Sequence, residues 1–119
     1  EGLRLGLCTN KPQRPAEKAL AEVGLTPFFD AVVGGDIVAL KPDPASLRLC
    51  LERLGADVAA TLYVGDSETD ADTAHAAETP FALFTQGYRK APVEALAARF
   101  AFDHHAALPD WVLAPPAAR

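Results

Sequence analysis

The chain has 119 residues, a formal net charge of −5, an isoelectric point near 5.0 and 50% hydrophobic residues. That length and apolar content suit one domain with its own core, while the acidic balance and the lack of a basic stripe exclude an electrostatic nucleic-acid binder. No apolar run reaches membrane-spanning length, and Cys8 and Cys50, both in apolar segments, read as reduced core residues of a cytoplasmic protein rather than as a disulfide framework.

Strand and helix signals alternate along the chain, which predicts a parallel sheet covered on both faces. Leu5–Cys8 reads as a strand, followed by a helix from about Gln13 to Val23. Leu20 and Val23 share one face of that helix, and Gly24 is the expected stop. Ala31–Val33 is a second strand, and Gly34-Gly35 opens a loop that delivers Lys41. Ala45–Leu54 is the next helix, with Leu47, Cys50, Leu51 and Leu54 at three- and four-residue spacing as its buried stripe. A strand is expected at Thr61–Val64, a helix at Glu68–Ala77 and a strand at Phe81–Phe84. A short helix at Ala91–Arg99, a strand at Phe100–Phe102 and a final helical turn at Leu108–Val112 complete the order. Residues 1–113 then form one core and residues 114–119 a loose tail.

Three strand ends carry chemistry. After Thr61-Leu62-Tyr63-Val64 comes Gly65-Asp66-Ser67-Glu68-Thr69-Asp70. A carboxylate at the end of a parallel strand lies where open α/β sheets bind ligands. A helix starting at Ser67 or Glu68 puts Asp66 at its mouth and Asp70 about one turn along, so both can face one side. Paired oxygen donors without His or Cys suit a hard cation such as Mg²⁺; the plainer alternative is a capping Asp and a solvated helix face. After the first strand, Thr9-Asn10-Lys11-Pro12 offers a hydroxyl and backbone N–H groups suited to phosphate oxygens. Alternatively, Thr9 or Asn10 simply caps the next helix. In Lys41-Pro42-Asp43-Pro44 the prolines hold the lysine's backbone, with Asp43 as helix cap and Pro44 as first helical residue.

Thr-Asn, Lys-Pro-Asp-Pro and Gly-Asp-Ser-x-x-Asp, in this order and each after a strand, resemble the second, third and fourth motifs of the haloacid dehalogenase-like hydrolase superfamily. The resemblance runs from Gly2 to about Trp111. The wording of Leu7–Pro12, Tyr63–Asp70 and Phe84–Arg89 is most similar to its bacterial phosphoglycolate phosphatases. The resemblance implies a three-layer α/β/α Rossmann-like core and a Mg²⁺-dependent phosphatase acting on a small phosphate monoester, 2-phosphoglycolate, through an aspartyl-phosphate. It implies Asp66 and Asp70 as metal residues, the latter ligating or steadying a metal-bound water. Lys41 would contact phosphate and nucleophile, and the Thr9 hydroxyl and Asn10 N–H would clamp the transferred group.

The superfamily's first motif, Asp-x-Asp-Gly-Thr, supplies the nucleophile and the acid/base aspartate. No Asp-x-Asp-Gly occurs in this chain; Asp70-Ala71-Asp72-Thr73 lacks the glycine. The chain therefore reads as the C-terminal part of a longer enzyme, without the central first-motif strand and the cap domain, and inactive and poorly stable alone. A sugar phosphomutase of the same superfamily, or a catalytically inactive binding module, are the rival readings, whereas a metal-free haloacid dehalogenase fits poorly with the carboxylate pair. His75, His104 and His105 have no zinc spacing and read as surface or packing residues. Asp72 reads as solvated, Trp111 as a packing anchor, and Tyr88 and Arg89 as loop residues near the ligand edge. Oligomeric state has no sequence signal.

Overall fold

Short parallel strands and the helices between them build the chain, seen in a computed structural model that describes residues 3–87, 89 and 92–113. Strand β1 (Gly6–Cys8) leads into α1 (Gln13–Glu22), β2 (Ala31–Val33), α2 (Ala45–Leu54), β3 (Tyr63–Gly65), α3 (Glu68–Ala76), β4 (Phe81–Phe84), β5 (Phe100–Phe102) and α4 (Ala107–Val112). Among the described residues the strands form two sheets, β1-β2 and β3-β4-β5, parallel throughout. Leu7 stands opposite Val32, Val64 opposite Ala82 and Leu83 opposite Ala101. Parallel pairing brings the C-terminal ends of neighbouring strands to one edge, which is where the three motifs sit.

Apolar spacing explains the packing. On α2, Leu47, Cys50 and Leu51 are buried and Leu54 half-buried, as the stripe requires; this helix lies against β1 and β2, and α3 against β3 and β4. Val33, Ala82 and Leu83 have no exposed surface, and one apolar cluster runs from Cys8, Val33 and Leu51 through Tyr63 and Ala74 to Phe81 and Leu83. The core therefore joins the two sheets although their strands do not pair. Trp111 stacks on Phe100 at 4.8 Å and anchors α4 to β5.

Four sequence expectations are corrected. Helix α1 ends at Glu22, and Val23 is 67% exposed rather than on the buried face, which is made by Ala16 and Leu20. Gly24 takes a φ of 73°, and Leu25 N–H closes back on Leu20 O at 2.8 Å, so the chain turns off directly after Val23. Strand β3 starts at Tyr63, not Thr61, because Thr61 Oγ1 donates to Asp57 O at 2.7 Å and holds that residue in the preceding turn. The helix expected at Ala91–Arg99 is a 3₁₀ turn at Val93–Leu96; Pro92 precedes it, Ala97 at φ 49° ends it, and Ala91 lies outside the described residues. Pro44 precedes α2 instead of opening it, while Asp43 Oδ1 still accepts the Ala45 N–H at 2.9 Å. The expected tail, residues 114–119, lies outside the described residues.

Candidate active site

Beyond β1, Thr9 extends the pairing with β2 by one bond, its N–H donating to Val33 O at 3.0 Å, while its Oγ1 accepts the Lys11 N–H at 3.1 Å. Asn10 does not cap α1. Its Oδ1 accepts the Lys41 N–H at 2.8 Å and its Nδ2 donates to Lys41 O at 3.2 Å. The carboxamide thus pairs with both main-chain groups of one residue as a neighbouring strand would, and fixes the Lys41 backbone just before the cis peptide bond to Pro42. The free N-terminus of α1 is served instead by Asp36, whose Oδ1 accepts the Gln13 N–H at 2.7 Å. The capping alternative falls for both residues: the Asn10 side chain is committed to Lys41, the Thr9 hydroxyl accepts the Lys11 N–H ahead of the helix, and Pro12 stands at the cap position.

From that anchored backbone the Lys41 side chain reaches β3 and α3. Its Nζ donates to Asp70 Oδ1 at 2.9 Å and to the Tyr63 hydroxyl at 3.0 Å, and the hydroxyl in turn donates to Asp70 Oδ1 at 3.2 Å. The Lys41 and Asp70 side chains are 13% and 12% exposed, so the pair is largely withdrawn from water. Asp70 Oδ2 accepts the Asp66 N–H at 3.0 Å and the Ser67 Oγ–H at 3.1 Å. Burial pushes the Asp70 carboxyl up, but the Lys41 bond and charge, the Asp66 N–H and the Ser67 hydroxyl outweigh it and hold the group below the usual carboxylate range. Burial drives the Tyr63 hydroxyl far up, with Cys8 and Asp70 adding to it, so it stays protonated. The Cys8 thiol is likewise pushed up by burial, against the pull of Tyr63 and Lys41.

Ser67 caps α3, its Oγ accepting the Asp70 N–H at 3.4 Å, and this sets Asp66 at the strand mouth with Asp70 one turn on. Two glycines shape the space around the carboxylates. A Cβ on Gly65 would strike the Asp70 side chain, and a Cβ on Gly87 would lie 2.6 Å from Asp66 Cγ and closer still to its Cβ and Oδ2. Gly87, in the loop after β4, is therefore pressed against Asp66, where only a bare backbone leaves room. Arg89 folds back to donate from Nη1 to Thr85 O at 2.6 Å, and Tyr88 lies outside the described residues.

The structure thus joins Lys41, Asp70 and the Asn10 side chain, with Asp66 adjoining them through its N–H, while Thr9, at the end of β1, bonds Val33 O and the Lys11 N–H. No group of three or more His, Cys, Asp or Glu able to hold a metal occurs among the described residues. The oxygen-only chemistry of Asp66 and Asp70 fits Mg²⁺, and both Asp70 oxygens already accept hydrogen bonds. His75, His104 and His105 are exposed; His75 meets Phe81 edge-on and His105 stacks on Phe84 at 4.4 Å. Asp72 is exposed. Sequence reasoning passed over Tyr63 and Ser67. The available signal for Tyr63 was a polar-tipped ring in a buried strand, whose hydroxyl must find a partner.

These features define a parallel α/β domain that gathers a lysine, two aspartates and a Thr-Asn turn at the C-terminal edge of its strands. The chain belongs to the haloacid dehalogenase-like hydrolase family, whose pattern matches residues 1–78. It is 53% identical over 111 residues to a phosphoglycolate phosphatase of Cereibacter sphaeroides, covering 92% of this chain and 50% of that protein. Among solved structures it is similar to a haloacid dehalogenase-superfamily hydrolase, subfamily IA, variant 1, of Geobacter sulfurreducens. That likeness has a TM-score of 0.78 and 31% identity over 92% of this chain and 52% of the other. It is also similar to CbbY of Rhodobacter sphaeroides in complex with xylulose-1,5-bisphosphate, with a TM-score of 0.74 and 27% identity over 86% of this chain and 47% of the other. The chain spans about half the length of the curated relatives it matches. Among the described residues no helix is long and apolar enough to cross a membrane.

Proposed function

We propose that this chain supplies the phosphate- and metal-handling half of a cytoplasmic Mg²⁺-dependent phosphatase that hydrolyses a small phosphate monoester, 2-phosphoglycolate, through an aspartyl-phosphate. The observation that carries the reading is the Lys41 ammonium, held at the strand edge by Asp70 and Tyr63 with its backbone clamped by Asn10. A phosphate monoester is a dianion, and an aspartate nucleophile can approach it only if the oxygens are neutralised and oriented. Lys41 supplies a positive charge in a site shielded from water, where it acts more strongly than in bulk. Thr9 Oγ and the Asn10 N–H are the donors that position the phosphoryl group. Asp66, with Asp70 as direct or water-mediated partner, would hold Mg²⁺, which when bound neutralises phosphoryl oxygens as a Lewis acid. The nucleophile and the acid/base aspartate come from an Asp-x-Asp-Gly segment, which these residues do not contain, so the chain alone is inactive. Residues 1–113 act as one core in this reading, with a small phosphate ester as its partner.

A sugar phosphate is the second substrate reading, favoured by the likeness to a protein solved with xylulose-1,5-bisphosphate. The test is release of inorganic phosphate by the full-length protein from 2-phosphoglycolate, sugar phosphates and p-nitrophenyl phosphate, with Mg²⁺ and with EDTA. Preferred Mg²⁺-dependent turnover of 2-phosphoglycolate supports the first reading, and preference for a sugar phosphate supports the second. Mg²⁺-independent turnover, or none, overturns the phosphatase assignment.

A further inference from the structure

Tyr63 stands in none of the three motifs, and the phosphatase reading uses it only as a contact of Lys41. It is buried in β3, its ring 6.3 Å from that of Phe81. Its hydroxyl, the Lys41 Nζ and Asp70 Oδ1 form a closed triangle with sides of 2.9, 3.0 and 3.2 Å. An ammonium has three N–H donors on a flexible stem. Once two of them are directed at Asp70 and Tyr63, tetrahedral geometry fixes where the third points. Asp70 alone would leave Nζ free to rotate about a single contact. The backbone end of the same residue is held independently, by the Asn10 carboxamide, so the orientation of Nζ is the freedom that remains for Tyr63 to remove. We infer that Tyr63 is a positioning residue: its hydroxyl, accepting from Lys41 and donating to Asp70, aims the remaining Lys41 N–H at the phosphoryl oxygen. The inference rests on the phosphatase reading for its purpose but on Lys41 geometry alone for its structural content.

The variant that isolates the hydroxyl is Tyr63→Phe, which keeps the ring and its packing. In the full-length protein it should lower kcat roughly ten- to a hundredfold, the scale of misplacing a catalytic group by about 1 Å, while KM for the ester stays within about threefold. In a Lys41→Ala background the same substitution should cost nothing further, because there is no ammonium left to aim. Wild-type kcat in Tyr63→Phe, or an equal loss with and without Lys41, overturns the inference. Crystal structures of both proteins give an arm independent of turnover. In Tyr63→Phe the Lys41 Nζ should leave its wild-type position, and an unmoved Nζ overturns the inference. If the wild-type protein hydrolyses no ester, the phosphatase reading fails and this structural arm alone decides the role of Tyr63.

Discussion

Gly87→Ala tests whether the placement of Asp66 matters more than the presence of its carboxylate. The new methyl would sit 2.6 Å from Asp66 Cγ, against the 3.4 Å at which ordinary van der Waals contact begins. Relief at Cγ alone therefore needs a relative displacement of about 0.8 Å, and relief at the closer Cβ and Oδ2 needs more; a misplacement near 1 Å at a reacting site costs on the order of a hundredfold in rate. The loop backbone can yield too, which makes a hundredfold the upper end. Gly87 has no positive φ, so alanine fits the backbone torsions, but Asp66 Cβ is not the flexible tip of a side chain, so relieving the overlap also lowers stability. The assay is 2-phosphoglycolate hydrolysis by the full-length protein across a Mg²⁺ titration, with thermal unfolding alongside. The expected result is a ten- to hundredfold lower kcat and a right-shifted Mg²⁺ dependence, with a Tm below that of wild type. Unchanged Mg²⁺ dependence in a folded Gly87→Ala protein would show that Asp66 is not held where the chemistry needs it.

Asp66→Asn should weaken Mg²⁺ dependence directly and lower turnover by orders of magnitude. Asp70→Asn should act mainly through Lys41, lowering kcat with a smaller change in Mg²⁺ dependence; Mg²⁺ titrations of both variants separate these roles. Lys41→Met strands a buried carboxylate and should cost about 3–5 kcal/mol of stability, while Lys41→Met combined with Asp70→Leu should recover most of that and none of the activity. Urea unfolding checks this, and a double variant as unstable as the single would show that the pairing is not the cause. Alkaline stability should fall through Cys50, whose thiol is pushed up to about 11 by burial, with the neighbouring Cys8 adding to the shift. Its folded value exceeds the ordinary 9.0, so its contribution is intact below pH 9 and is lost as pH rises toward 11. The loss is roughly 3 kcal/mol. Urea midpoints between pH 8 and 11 should converge for wild type and Cys50→Ala as pH rises; parallel curves would remove Cys50 as the cause.

The parts of the site legible in the sequence are those written in consecutive residues. Gly65-Asp66 at a strand end, Asp70 one turn later and the proline-flanked Lys41 are local patterns, and each stands at a strand edge in the structure. Ser67 as the cap of α3 follows the same local logic. The long-range bonds were not legible. The Asn10 carboxamide meets a peptide 31 residues away, and no spacing rule distinguishes that use from a helix cap. Tyr63 reads as one more apolar strand residue until Lys41, 22 residues earlier, is seen to reach its hydroxyl. Element order survived because strand–helix alternation repeats throughout. Boundaries failed where a side chain diverted the backbone, as Thr61 does by bonding to Asp57, or where proline and a left-handed alanine broke an apolar-looking helix at Val93–Leu96.

Those long-range bonds also explain how site and fold depend on each other here. Among the described residues, β1-β2 and β3-β4-β5 share no strand pairing, so side chains connect them: the apolar cluster through Tyr63, Cys8 and Leu51, the Arg48 bond from α2 to Ala76 O on α3, and the polar triangle of Lys41, Tyr63 and Asp70. Apolar contact is non-directional and tolerates sliding, whereas a buried charge with two defined partners does not. Lys41 approaches from the loop after β2, while Tyr63 and Asp70 belong to β3 and α3. The triangle therefore fixes the relative register of the two sheets at the edge where Thr9 and Asp66 emerge. A lysine on a surface loop could carry the same charge, but it could not hold the Thr9-Asn10 turn and the carboxylates at one separation. Burying the ammonium between the sheets has a desolvation cost that a solvated lysine would avoid, and what it secures is geometry.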